Sequence, residues 1–124
     1  MAPTGERRRQ ARRRGRRAET LGAWFLRLQG YRILARGHRT PVGEIDLIAR
    51  RGRRIAFVEV KARASREQAA ESLGARQRRR IVRAARHWLA GRPDAAGLDL
   101  GFDLILIAPR RLPRHLRNAW REEG

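Results

Sequence analysis

Two segments constrain this chain most: Glu44 to Arg50 (EIDLIAR) and Arg54 to Lys61 (RIAFVEVK), each alternating residue by residue around Gly52-Arg53. Alternation with period two is the signature of a β-strand, and Gly at the first central position of a two-residue loop suits a type II′ turn. In that hairpin every facing pair of residue numbers sums to 105. Asp46 then faces Glu59 and Glu44 faces Lys61, while Ile45, Leu47 and Ala49 face Val60, Val58 and Ala56. Apolar and charged residues sort to opposite faces, and a slip by one residue would mix them.

The rest of the chain supplies a mixed α/β pattern. Residues 1–17 hold eight arginines and almost nothing apolar, so they are expected to form a disordered basic arm before a single domain over 18–124. Leu21, Trp24, Phe25 and Leu28 recur at helical spacing, predicting a first helix over about 16–29 with Gly30 as its stop and these side chains in the core. Tyr31 to Arg36 reads as a first strand, ended by the breaker run Gly37 to Pro41. Ser65 to Leu73 shows no clear period. Ile81, Val82, Ala85, Trp88 and Leu89 predict a second helix over about 74–90, stopped by Gly91-Arg92-Pro93. Phe102 to Ile107 is nearly continuous in apolar residues, as in a strand buried on both faces. The intervening helix makes this strand a parallel, right-handed crossover partner of the Arg54–Lys61 strand. Beyond Arg110 only Trp120 is expected to dock on the core.

Composition narrows the function classes. The chain of 124 residues carries 31 Lys+Arg against 12 Asp+Glu, a net charge of +19. Only Lys61 among the basic residues is lysine, leaving 30 arginines. An arginine bias this uniform reflects coding, which discounts the charge as a binding signal and sets Lys61 apart. A polyanion is still the natural partner, nucleic acid ahead of an anionic membrane surface. With no cysteine, thiolate metal sites and disulfides are excluded, and a cytoplasmic location is expected. No apolar run is long enough to span a membrane. His38, His87 and His115 lack ligand spacing, Ser65 and Ser72 lack a partnered histidine and acid, and no phosphate-binding glycine loop follows a strand.

The charged face of the hairpin is the anomaly. Like charges on facing residues, with Cβ atoms about 5 Å apart, raise at least one pKa unless a cation neutralises them. Asp46 and Glu59, with the Val60 carbonyl, offer the hard oxygen ligands that Mg²⁺ or Mn²⁺ takes. Lys61, two residues on and on the same face, would stand where an ammonium can assist an attacking water or neutralise a phosphate. Arginine cannot exchange protons in that way near neutral pH. The competing reading is a cross-strand Glu44–Lys61 ion pair, with Asp46 and Glu59 pointing to solvent. The second predicted helix carries Arg76, Arg79, Arg80, Arg83 and Arg86, either a solvated face or a phosphate contact.

Gly43 to Ala49 (GEIDLIA) followed by Phe57 to Arg63 (FVEVKAR) resembles the YraN family of small bacterial proteins, over about Gly15 to Ile107. That family is similar to the restriction-endonuclease-like, PD-(D/E)XK superfamily, Holliday-junction resolvases included. The resemblance implies an αβββαβ core with a mixed central sheet flanked by helices. It places Asp46 as the first carboxylate, although Ile45 stands where the superfamily's proline would precede it. Glu59 and Lys61 become the E-x-K, Glu19 an extra acid from the first helix, and Gln77 a polar helix residue, with Glu44 nearby. Arg63, Arg76, Arg79, Arg80 and Arg83 would grip the nucleic acid, DNA ahead of RNA, and analogy with junction resolvases implies a homodimer. The function expected is metal-dependent phosphodiester hydrolysis, and the alternative is a non-catalytic nucleic-acid-binding module on the same fold.

Overall fold

The computed structural model describes residues 5–122. Its elements are α1 (Gly5–Leu28), β1 (Arg32–Thr40), β2 (Gly43–Arg51), β3 (Arg54–Ala62), α2 (Arg66–Glu71), α3 (Ala75–Ala90), a single 3-10 turn at Pro93–Ala95, β4 (Asp99–Ile107) and β5 (Arg114–Trp120). The strands form one sheet in the order β1-β2-β3-β4-β5. Only the β3–β4 pair is parallel. The expected αβββαβ core is therefore present, with β5 added at the edge.

The β2–β3 register follows the turn chemistry. Leu47 pairs with Val58, Ile48 with Phe57 and Arg51 with Arg54, each summing to 105. Gly52 has φ of 60° and Arg53 is not among the residues of positive φ, which is the type II′ pattern. The ladder ends at Leu47–Val58, so the expected pairs Asp46–Glu59, Ile45–Val60 and Glu44–Lys61 do not form. Ile45 crosses to the other side of the sheet and packs with Ile48, whereas Leu47 and Ala49 pack with Ala56, Val58 and Val60.

Two apolar layers cover the sheet. On one face α2 and α3 bury Ala69, Ile81, Val82, Ala84, Ala85 and Trp88 against Phe57, Phe102 and Leu104. Phe57, Phe102 and Trp120 stack in sequence, so Trp120 docks as expected, carried there by β5. On the other face α1 packs through small residues: Ala18, Ala23 and Leu26 are buried, and a Cβ on Gly22 would lie 2.9 Å from Val60 Cγ2. This close approach corrects the predicted helix face. Leu21, Trp24 and Leu28 are exposed, Trp24 at 57% with Arg27 over its ring, because the helix rests on its glycine–alanine side.

Three further expectations change. The first helix begins at Gly5 and not near residue 16, in line with the good helix propensity of Arg, Ala and Glu; residues 1–4 lie outside the described residues. β1 runs through Gly37, at φ of 55°, to Thr40 instead of stopping at Arg36. The stretch after Ser65, without period in the sequence, forms α2 under an N-cap in which Ser65 Oγ accepts the Gln68 N–H at 3.1 Å.

Candidate active site

Where β2 and β3 part, the freed Asp46 carboxylate takes over the main-chain bonding that the ladder gives up: Val60 N–H donates to Asp46 Oδ2 at 2.9 Å. Glu59, on the neighbouring residue, is only 5% exposed, which removes the reading in which it points to solvent. Gln77 Nε2, reaching from α3, donates to Glu59 Oε1 at 2.9 Å, and Lys61 Nζ lies 3.4 Å from the same oxygen. The alternative Glu44–Lys61 pair is absent. Glu44 is exposed and pairs at 3.8 Å with Arg39 instead. Glu19 approaches from α1 and is held by Arg36, whose Nε donates to Glu19 Oε1 at 3.2 Å while Nη2 donates to Thr20 Oγ1 at 2.7 Å.

These side chains share an open cleft of about 950 Å³. Glu19, Glu44, Asp46, Glu59, Val60, Lys61 and Arg63 all line it, as do Arg16, Arg17 and Arg39. Gln77 reaches the site only through Glu59. Arg76 and Arg80 are exposed on α3 and line neither this cleft nor the α3–β5 groove, whereas Arg79 and Arg83 belong to that separate groove. Nothing in the residue pattern marks Arg36 and Arg39 as site residues. Their strand reads as broken at Gly37, and only the β1–β2 pairing, Arg36 to Leu47 and Arg39 to Glu44, reveals where they lie.

Electrostatics sets the acids against each other. Burial raises the Glu59 carboxyl to about 8, with the Asp46 charge adding to the shift and Lys61 opposing it. Burial also raises Asp46, against the Val60 N–H that favours its ionised form, and the charge on Glu19 adds to the rise. Lys61 is thus too little positive charge for the acids around it. Among the described residues no group of three or more His, Cys, Asp or Glu is arranged to hold a metal ion. A cation here would rest on two carboxylates, the Val60 main chain and water. That all-oxygen, two-carboxylate set fits Mg²⁺ or Mn²⁺, which commonly keep several waters, and a divalent charge would favour the ionised form of both acids against the burial that raises them.

A mixed sheet with helices on both faces, parted between two central strands to present paired carboxyls and a lysine, defines a restriction-endonuclease-like α/β protein. The model of the family described as "Uncharacterised protein family UPF0102" matches residues 18–107. The chain belongs to that family, and the Gly43–Ala49 and Phe57–Arg63 motifs behind the YraN-like resemblance lie inside the matched segment. Its relatives include a UPF0102 protein of Parvibaculum lavamentivorans, 60% identical over 109 residues, covering 88% of this chain and 82% of that one. Another, from Methylorubrum extorquens, is 56% identical over 99% of this chain and 96% of its own. A third, from Paramagnetospirillum magneticum, is 52% identical over 97% and 96%. No helix among the described residues is long and apolar enough to cross a membrane.

Proposed function

We propose that this protein is a metal-dependent nuclease that hydrolyses phosphodiester bonds, with DNA as its substrate. The observation that carries the reading is the gathering of Asp46, Glu59 and Lys61 in one cleft where β2 and β3 part. Asp46 and Glu59, with the Val60 main chain, would hold Mg²⁺ or Mn²⁺, which when bound activates water and neutralises phosphate charge. Gln77 donates to Glu59 Oε1 and so fixes the orientation of this carboxyl beside Asp46. Lys61, itself mostly buried, sets a compact positive charge beside Glu59, suited to a phosphate oxygen or to proton exchange with water. Glu19, steadied by Arg36, adds an accessory acid from α1. Arg16, Arg17, Arg39 and Arg63 surround these acids with the cations that draw a phosphate backbone to an otherwise repulsive cluster.

Because Gln77 and Lys61 already engage Glu59 Oε1 from within the protein, a second reading is a non-catalytic nucleic-acid-binding module in which the acids are structural. Incubating wild type and Glu59→Ala with end-labelled duplex, single-stranded and four-way-junction DNA, in Mn²⁺ and in EDTA, separates the two. The nuclease reading expects products only from wild type with metal. Equal binding by both proteins without any product supports the module.

A further inference from the structure

A second basic surface lies away from the acids. Between α3 and β5 runs a groove of about 640 Å³, walled by Arg78, Arg79, Arg83, Arg86 and Arg121 with Trp120, and it shares no lining residue with the acid cleft. Among the described residues the one carboxylate paired with these arginines is Glu122, on Arg86. The helix makes the excess charge worse. No acid occupies the first turn of α3 and its N-cap Gly74 supplies no side chain, so Arg78 and Arg79 stand near the positive end of the helix dipole. Arg79, Arg83 and Arg86 also repel one another at i, i+4 and i+7. Trp120, 8% exposed, keeps a buried indole N–H with no acceptor among the described residues.

We infer that this groove is a second nucleic-acid site, which holds a sugar–phosphate backbone apart from the acid cleft. The inference rests on the nucleic-acid part of the function proposed above and not on cleavage. The Arg79–Arg83–Arg86 stripe extends about 10 Å along the helix at 1.5 Å per residue, long enough for its guanidinium groups to meet more than one phosphate of a strand. Guanidinium forks match phosphate oxygens without regard to base, so the groove anchors the polymer without reading sequence. Glu122 occupies one of these guanidinium groups in the free protein and is displaced when phosphate arrives.

The test is binding of labelled oligodeoxythymidine, followed by anisotropy across a salt series in EDTA so that no cleavage intervenes. For Arg79→Ala/Arg83→Ala, checked for an unchanged melting temperature, the log–log salt slope should fall by about 1.4, two single-strand phosphate contacts. Glu122→Gln should bind a few-fold tighter than wild type, a gain that damage to the fold would not produce. If the wild-type slope persists in the double variant while wild type binds, the groove inference alone is overturned. If wild type binds no oligonucleotide, the functional proposal falls with it. Displacement of the oligonucleotide by polyglutamate as readily as by inorganic polyphosphate would reassign the groove to an acidic protein partner and likewise overturn the inference.

Discussion

Asp103 is a fully buried charge, and replacing it with asparagine tests how the edge of the sheet is held. Its carboxylate accepts Arg54 Nη1 at 2.8 Å and Nη2 at 2.7 Å, His115 Nε2 at 2.7 Å and the Asn118 N–H at 3.0 Å. Burial would raise its pKa, but the hydrogen bonds from Arg54, His115 and Asn118 prevail and lower it from 3.8 to about 2. A folded-state pKa below the unfolded one gives stability that is present above pH 3.8 and lost as pH falls towards 2, worth about 2–3 kcal/mol. Asparagine also strands the largely buried Arg54 guanidinium, so the total cost at neutral pH should be about 3–5 kcal/mol. Urea unfolding of wild type and Asp103→Asn across pH measures both quantities. The gap should be widest at neutral pH and shrink by about 2–3 kcal/mol between about pH 4 and 2. A gap below about 1 kcal/mol at neutral pH, or one unchanged through that acid window, would show that Asp103 does not hold this edge of the sheet.

Glu59→Gln should stabilise the protein with the opposite pH dependence. The folded pKa of Glu59 lies near 8, above its ordinary 4.5, so wild type loses stability as pH rises between those values, and the variant should be about 2–4 kcal/mol more stable above them. Urea midpoints that coincide at pH 5 and diverge by pH 8 would bear this out. Gly43→Ala should lower the melting temperature by the equivalent of about 1–3 kcal/mol, since its Cβ would sit 2.6 Å from the Arg80 carbonyl oxygen on α3. Gly101→Ala should cost at least as much and lose its additivity with Asp103→Asn in a double-mutant cycle, because a side chain there overlaps the Arg54 guanidinium that reaches Asp103.

The hairpin was legible because turn chemistry and alternation agreed on one register. Its upper end was not. Asp46 leaves the ladder to bond Val60 N–H, an exchange of main-chain for side-chain acceptor that no pattern of polarity encodes. The small residues of α1 misled in the same way: Leu21, Trp24 and Leu28 have the spacing of a core stripe, yet Gly22 and Ala23 let the helix sit so close that those larger side chains are turned outward. β5 escaped notice because its residues, Arg114 to Trp120, are mostly polar and exposed, as befits an edge strand. The buried Arg54–Asp103–His115 cluster joins three separate strands, so its members look like ordinary surface charges until the sheet is assembled.

Whether Asp46 and Glu59 together hold a divalent cation is measured by titrating Mn²⁺ into wild type, Asp46→Asn and Glu59→Gln and counting bound ion by electron paramagnetic resonance. Wild type should bind a cation that both substitutions abolish while the fold is retained. Identical isotherms for all three proteins would contradict this.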